Sequence, residues 1–456
     1  MAPLRRGRSH GGGGGGAAEC LAPYRKGRRP PRRKQEAAAG TALPDDALAA
    51  VFDRLPDGAD VVRCAAACRR WARVVARESA ALPCALPAAL PGLALGFFHQ
   101  ESAPSVTART AAGGAWRPPR FVPMASAARL RHGALLPMPP GHGGGTGSNR
   151  RRLADLFDRS RPVASRNGRV VLELPRQGHA AGLELCVCNP MTGDVAPLPP
   201  LSGGDKPGHY ACALLAGDDD LDATAPGRPL PPTFFRMAIV YNRHRFTALR
   251  TYSSDSGAWS GEAKLSGPRV DSHRLRRLGQ AVVLRGVAYW PLRETALAVR
   301  LDTPEPTEVT NMPLHGVSDA AQRRRLLGIT ADGKLCFVRT AKSFEGCLVI
   351  VVKAFIESCE EEDMCAGRWE KMKARRICTQ LKIGCLMTVN LRWFCEKSGI
   401  LLLTLGEFSN DPGTFALNLA TEEVQKLVDS PDCSSWTNFV GYEMDRAAYL
   451  ASIADH

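Results

Sequence analysis

Residues 43–75 read LPDDALAAVFDRLPDGADVVRCAAACRRWARVV. Pro44 presets the backbone for a first helical turn, and Asp45 or Asp46 can accept from its unsatisfied amides. Leu48, Val51, Phe52 and Leu55 then recur at i, i+3, i+4 and i+7, which is one stripe of a helix. Pro56, Asp57 and Gly58 stop that helix and turn the chain. A second helical run carries Val61, Val62, Ala65, Cys68, Trp71, Ala72 and Val75 as its apolar set. About forty residues in two or three short helices cannot bury both faces of such stripes by themselves. Another domain or another protein is therefore expected to cover part of this surface.

Leu-Pro, an acidic pair, an apolar helix and then Cys-basic-basic-Trp occur together here, a combination that resembles an F-box. The matching residues are Leu43, Pro44, Asp45, Asp46, Leu48, Phe52, Leu55, Cys68, Arg69, Arg70 and Trp71. The resemblance implies a small all-α module over 41–82, a helical hairpin or three short helices. It also implies a partner, an acidic Skp-type adaptor that joins cullin and RING subunits in a ubiquitin ligase. Leu43, Pro44, Leu48, Val51, Phe52, Leu55, Val62, Cys68, Arg69 and Trp71 would make that contact. Leu48, Phe52, Leu55 and Trp71 would be its anchors, and Arg69 and Arg70 would face the adaptor's acidic surface. Two departures shrink the contact: Val61-Val62 replaces the usual leucines, and Ala67 stands where a bulkier residue often precedes the Cys. The alternative is a helical hairpin packed only on its own chain.

Upstream of this module, residues 1–40 hold a six-glycine run and ten Lys or Arg against two Glu. That tail supplies about half of the chain's net charge of +15. Its composition cannot form a packed core, and it is expected to be disordered. Arg25, Lys26, Arg28, Arg29, Arg32, Arg33 and Lys34 form a cluster that is either a nuclear-import signal or a solvated basic run. The remainder is only mildly basic, so a nucleic-acid partner is not expected of the folded part.

Downstream, residues 90–456 change texture to short apolar runs between Gly, Pro, Asn and Asp. SRNGRVVLEL (165–174) leads into LELCVCNPMTGDVAPLPP (183–200), a strand–turn–strand phrase. The segments from 237, 281, 326 and 394 repeat the scheme at roughly 45 to 50 residues, the range of four-stranded propeller blades. Three phrases resemble the C-terminal associated domain of plant F-box proteins. They are Asn189-Pro190-x-Thr192-Gly193 with Leu198-Pro199-Pro200, Tyr252-Ser253-Ser254 with Trp259, and Gly286-x-x-Tyr289-Trp290. The resemblance implies an all-β domain, a divergent kelch-like propeller. An open β-rich repeat or a sandwich is the alternative. Residues 139–150 and 217–231 are expected as long loops, and the acidic run at 360–363 as a solvated one.

Fifteen cysteines occur without a CxxC pair or a Cys/His cluster at zinc spacing, so no metal or cofactor is expected. Most lie in apolar runs, where Cys acts as a small hydrophobe. A reducing compartment is expected, nucleus or cytoplasm. The uncharged stretch 79–98 is broken by Pro83, Pro87 and Pro91 and reads as a buried linker, not a membrane span. Gly7-Arg8-Ser9-His10-Gly11 and His142-Gly143-Gly144-Gly145 mimic hydrolase phrases but lack the strand-turn-helix setting. No catalytic residue is assigned. The expectation is a non-catalytic target-recruiting subunit, with a scaffold or nuclear regulator acting outside a ligase, its basic tail on nucleic acid, as the alternative.

Overall fold

In a computed structural model the described residues are 43–55, 58–78, 93–101, 117–129, 148–175, 182–201, 208–216, 233–266, 269–275, 278–292, 295–301, 307–313, 325–330, 332–342, 348–357, 367–376, 389–407, 409 and 411–452. Met1–Pro44 and Asp45–His456 are separate units, and only Leu43 and Pro44 of the first are described. The expected tail, with Arg25, Lys26, Arg28, Arg29, Arg32, Arg33 and Lys34, lies outside the described residues. So do the acidic run at 360–363 and both hydrolase-like phrases.

Helices α1 (Asp45–Asp53), α2 (Gly58–Ala67) and α3 (Arg69–Arg77) open the larger unit. Strands β1 (Ala94–Gln100) and β2 (Arg120–Pro123) follow, then helices α4 (Ala125–Arg129) and α5 (Ser148–Asp158). Ser148 therefore starts a helix inside the stretch expected as a loop. Ala94–Phe98, expected as linker, belongs to a fully buried strand.

Five antiparallel meanders come next. The first joins β3 (Arg161–Arg166), β4 (Arg169–Glu173), β5 (Leu185–Cys188) and β6 (Val195–Pro197). In the second, β7 (Tyr210–Ala216), β8 (Phe235–Asn242), β9 (Thr247–Ser253) and β10 (Ala258–Trp259) pair in order, and β11 (Ala263–Lys264) also pairs with β9. The third holds β12 (Val282–Leu284), β13 (Val287–Pro291), β14 (Thr295–Arg300) and β15 (Thr307–Pro313). The fourth holds β16 (Arg325–Ile329), β17 (Leu335–Lys342), β18 (Leu348–Glu357) and β19 (Gly367–Arg376). The fifth holds β20 (Val389–Cys395), β21 (Ile400–Leu405), β22 (Gly413–Asn418) and β23 (Val424–Val428). A sixth sheet, ordered β2-β1-β24, unites the two ends of the unit, because β24 (Thr437–Glu443) pairs antiparallel with β1. Helix α6 (Ser272–Leu275) precedes β12, and α7 (Arg446–Ser452) follows β24.

Local chemistry explains the hairpins. Asn167 and Gly168 both take positive φ (45° and 75°), as a two-residue turn between Arg166 and Arg169 requires. Asn189 closes the next turn by accepting from the amides of Met191 (3.0 Å) and Thr192 (3.4 Å), and Asn418 does the same for Ala420 and Thr421.

The opening strand of each meander touches that of the next: β3 to β7, β7 to β12, β12 to β16 and β16 to β20. Strand β20 touches β24, and β24 touches β3, so the succession of six sheets closes on itself. Tyr442 Oη donates to Gly168 O (3.1 Å), and Gly168 N donates to Glu443 O (2.8 Å), which fastens the last strand to the first meander. Each neighbouring pair of sheets encloses its own apolar cluster among the described residues. The fold class is thus as the sequence led us to expect, short helices followed by an all-β domain of small antiparallel sheets.

Candidate functional site

Helices α1 to α3 do not form an isolated module. Leu48, Phe52, Val61, Val62, Ala65, Val74 and Val75 are buried in one cluster with Leu95 and Phe98 of β1, Val170 and Leu172 of β4, Tyr442 of β24 and Leu450 of α7. This is the cluster between the closing sheet and the first meander. Helix α3 packs directly on α7. Trp71 meets Phe52 edge-on, with ring centroids 5.6 Å apart. Residues from Asp45 onward make one unit, so these helices and the sheets pack together.

The residues expected to contact an adaptor divide between this inner packing and the outward face of the helices. Leu48 (3 % exposed), Phe52 (1 %) and Val62 were expected to meet another protein but pack on the chain's own sheets. Leu55 and Trp71 are partly buried against the same cluster. Of the stripe read from the sequence, Leu48, Phe52 and Leu55 are covered by the chain's own β domain, whereas Val51 lies outside that cover. Arg70 is also spent internally, since Nε (2.9 Å) and Nη2 (2.8 Å) donate to Asp45 Oδ1. Asp45 Oδ2 lies 3.7 Å from Arg77 Nη1. The carboxylate expected to cap α1 thus ties α1 to α3.

The outward face is what remains for a partner. Val51 is 48 % exposed, beside exposed Ala50 on α1 and Arg54 in the turn that follows it. Leu43 (55 % exposed) and Pro44, which end the preceding unit, are exposed as well and are not counted in this face. Cys68 is exposed at the N-cap of α3, where its carbonyl accepts from Ala72 N (3.0 Å), so its role there is to turn the chain. Arg69 and Arg73 are exposed one turn apart on α3, and Arg73 was overlooked although the i, i+4 spacing was legible. Such a face offers shape, one large apolar side chain and positive charge.

The described thiols of the β domain are buried. Burial pushes Cys186, Cys212 and Cys336 up to about 12, so they stay protonated and behave as core hydrophobes. Among the described residues no group of three His, Cys, Asp or Glu is placed to hold a metal. No described helix is long and apolar enough to cross a membrane.

Comparison with known families adds two matches. Residues 146–455 match a domain of unknown function, DUF7595. The chain belongs to the DUF7595 family. Residues 41–80 match the F-box-like family. F-box domains as a class bind Skp-type adaptors in Skp–cullin–F-box complexes, and proteins bearing them are generally non-catalytic adaptor subunits. The DUF7595 span includes β24 but leaves out β1 and β2, the strands that β24 needs to complete the closing sheet. No curated protein matches the chain.

Solved structures similar to parts of it include a post-proline cleaving enzyme from Rickettsia typhi, at 10 % identity and TM-score 0.29 over 59 % of this chain and 36 % of that one. A puromycin-hydrolyzing peptidase of Mycobacterium tuberculosis shows 13 % identity and TM-score 0.25, over 60 % and 39 % of the two chains. TolB from Acinetobacter baumannii shows 11 % and 0.21, over 57 % and 58 %. The chain spans between 36 % and 58 % of these proteins, and likenesses this slight support no statement about its fold or chemistry.

Proposed function

We propose that this DUF7595 protein is the target-recruiting subunit of a Skp–cullin–F-box ubiquitin ligase. The outward face of α1 and α3 docks the Skp-type adaptor in a contact of about 1,600 Å². The six-sheet domain, on this reading a six-bladed propeller, holds a target protein in the nucleus or cytoplasm, and the basic cluster at 25–34 serves nuclear entry. Catalysis belongs to the partner subunits. Recruitment works by raising the effective concentration of target lysines near the charged conjugating enzyme.

The observation that supports this best is the F-box-like match on helices whose inner face is welded to the β domain and whose outer face is open. A rigid junction would hold target and adaptor at a fixed spacing. The test is co-purification with a Skp-type adaptor. Wild type should bind, and the double change Val51→Asp, Arg69→Glu should not, with its melting temperature unaltered because both sites are exposed. A wild type that ignores the adaptor, or a double variant that binds it equally well, would overturn the proposal.

A further inference from the structure

The opening strands of the meanders run side by side, and the space they enclose differs at its two ends. Where β16, β20 and β24 begin, a cavity of about 400 Å³ is lined by Arg325, Arg392, Asn390, Ser434, Ser435 and Trp436. A second, of about 230 Å³, shares Gly279, Gln280 and Arg392 with it and adds Arg161, Tyr210 and Asn438. The axis then narrows at Trp393 and Gln280, beside which spaces of only about 10 Å³ remain. Gln280 is fixed there by a two-way bond with Phe394, donating Nε2 to its carbonyl (2.6 Å) and accepting from its amide (2.8 Å).

Charge separates the ends. No Asp or Glu is among the described residues lining the two wide cavities. The narrow far end mixes both signs, with Arg166, Lys397, Glu396 and Glu443. At the wide end Arg325 is almost wholly buried and donates Nη2 to Leu292 O (2.7 Å), while Arg392 donates to Trp436 O and lies over the Phe439 ring. Backbone carbonyls thus orient both guanidinium groups. Arg161 pairs with Glu173, which also accepts from Tyr210 Oη (2.6 Å). Behind Trp436, His99 stacks on the indole at 3.7 Å, and burial, then Arg120 and Arg392, hold it down to about 4. Helix α3 packs on α7, beyond the other end of β24, so the wide cavity opens away from where the F-box-like helices meet α7.

We infer that this wide cavity binds an anionic side chain, carboxylate or phosphorylated, on a segment of a partner protein, with Arg325 and Arg392 as its charged contacts. The inference rests on the reading of the β domain as the target-holding part and names the chemistry it selects. A blind-ended cavity with two or three guanidinium groups and an indole fits one or two oxyanions, not the continuous phosphate track of a nucleic acid.

The test uses the purified full chain and three labelled peptides of one neutral framework, bearing glutamates, a phosphoserine or a plain serine. Anisotropy at low salt should show binding of at least one anionic peptide, loss of it at high salt, and no binding of the plain one. The preferred anionic peptide identifies the source of the charge. Ser435→Glu, at an exposed position, should weaken binding about tenfold without disturbing the fold, as should Arg392→Gln. Failure of both anionic peptides to bind, undiminished binding to Ser435→Glu, or stronger binding of a single-stranded oligonucleotide would overturn the inference. Adaptor co-purification with Ser435→Glu is read in parallel. Its loss would count against the docking assignment and leave the cavity result standing.

Discussion

Arg70 and Asp45 hold each other across 25 positions of sequence, joining the start of α1 to the start of α3. Both belong to the motif that points to an F-box, yet neither is released to a partner by this arrangement. The pair is about two-fifths exposed on each side, so its worth is that of a surface ion pair, about 0.2–1 kcal/mol. A double-mutant cycle of Asp45→Ala and Arg70→Ala should give a coupling energy in that range that shrinks with salt. Denaturant titration at two ionic strengths measures it. Coupling well above this range would mean that the pair is far better shielded than its exposure implies.

Phe52 does more. It lies at the centre of the cluster that also seals the closing sheet against the first meander. Phe52→Ala should therefore cost about 3–5 kcal/mol and lower the stability of the β domain, not of the helices alone. Calorimetry of the variant should show one transition moved down as a unit. A separate early helical transition, with the β domain melting at its wild-type temperature, would show that helices and sheets are independent. The same logic makes Leu48→Asp a poor probe of adaptor binding, since it would unfold the seam before it touched a partner.

What the sequence revealed follows from how local each signal was. The Asn167-Gly168 turn and the Asn189 turn are fixed by two to five adjacent residues, so their hairpins were readable. Five repeating phrases correspond to five meanders. The sixth sheet was not readable, because its strands come from 94–100, 120–123 and 437–443 and share no continuous phrase. The inward stripe of Leu48 and Phe52 was visible, but periodicity states that a face is covered and not by what. Arg325 and Arg392 were missed for a similar reason. Each sits near the start of an innermost strand, and only closure of the ring brings them to one cavity.

Gly441 marks a contact where no larger residue fits. A Cβ there would lie 2.4 Å from Cδ1 of the buried Trp393, which fills the axis beside it. The indole cannot retreat without opening the waist, so Gly441→Ala should cost about 1–3 kcal/mol. Gly261 has nothing within 4 Å of the equivalent point, and Gly261→Ala should leave the midpoint of urea unfolding nearly unchanged. Equal effects of the two substitutions would mean that Trp393 yields freely.

His99 sets a pH dependence with a definite sign. It is 3 % exposed, its Nδ1 has no hydrogen-bond partner among the described residues, and burial together with Arg120 and Arg392 lowers it from 6.5 to about 4. The folded state thus holds the neutral ring where the unfolded chain would take a proton. Above about 6.5 both states are neutral, and the full stability is present. As pH falls from about 6.5 towards about 4 the unfolded state gains protons first, and stability drops by roughly 3 kcal/mol over that window. His99→Phe keeps a ring against Trp436 and removes the proton site. Its stability should therefore fall less than wild type between those limits, by about the stated amount, in denaturant titrations at matched pH values. Parallel curves for the two proteins would show that His99 is protonated in the fold as readily as in the open chain.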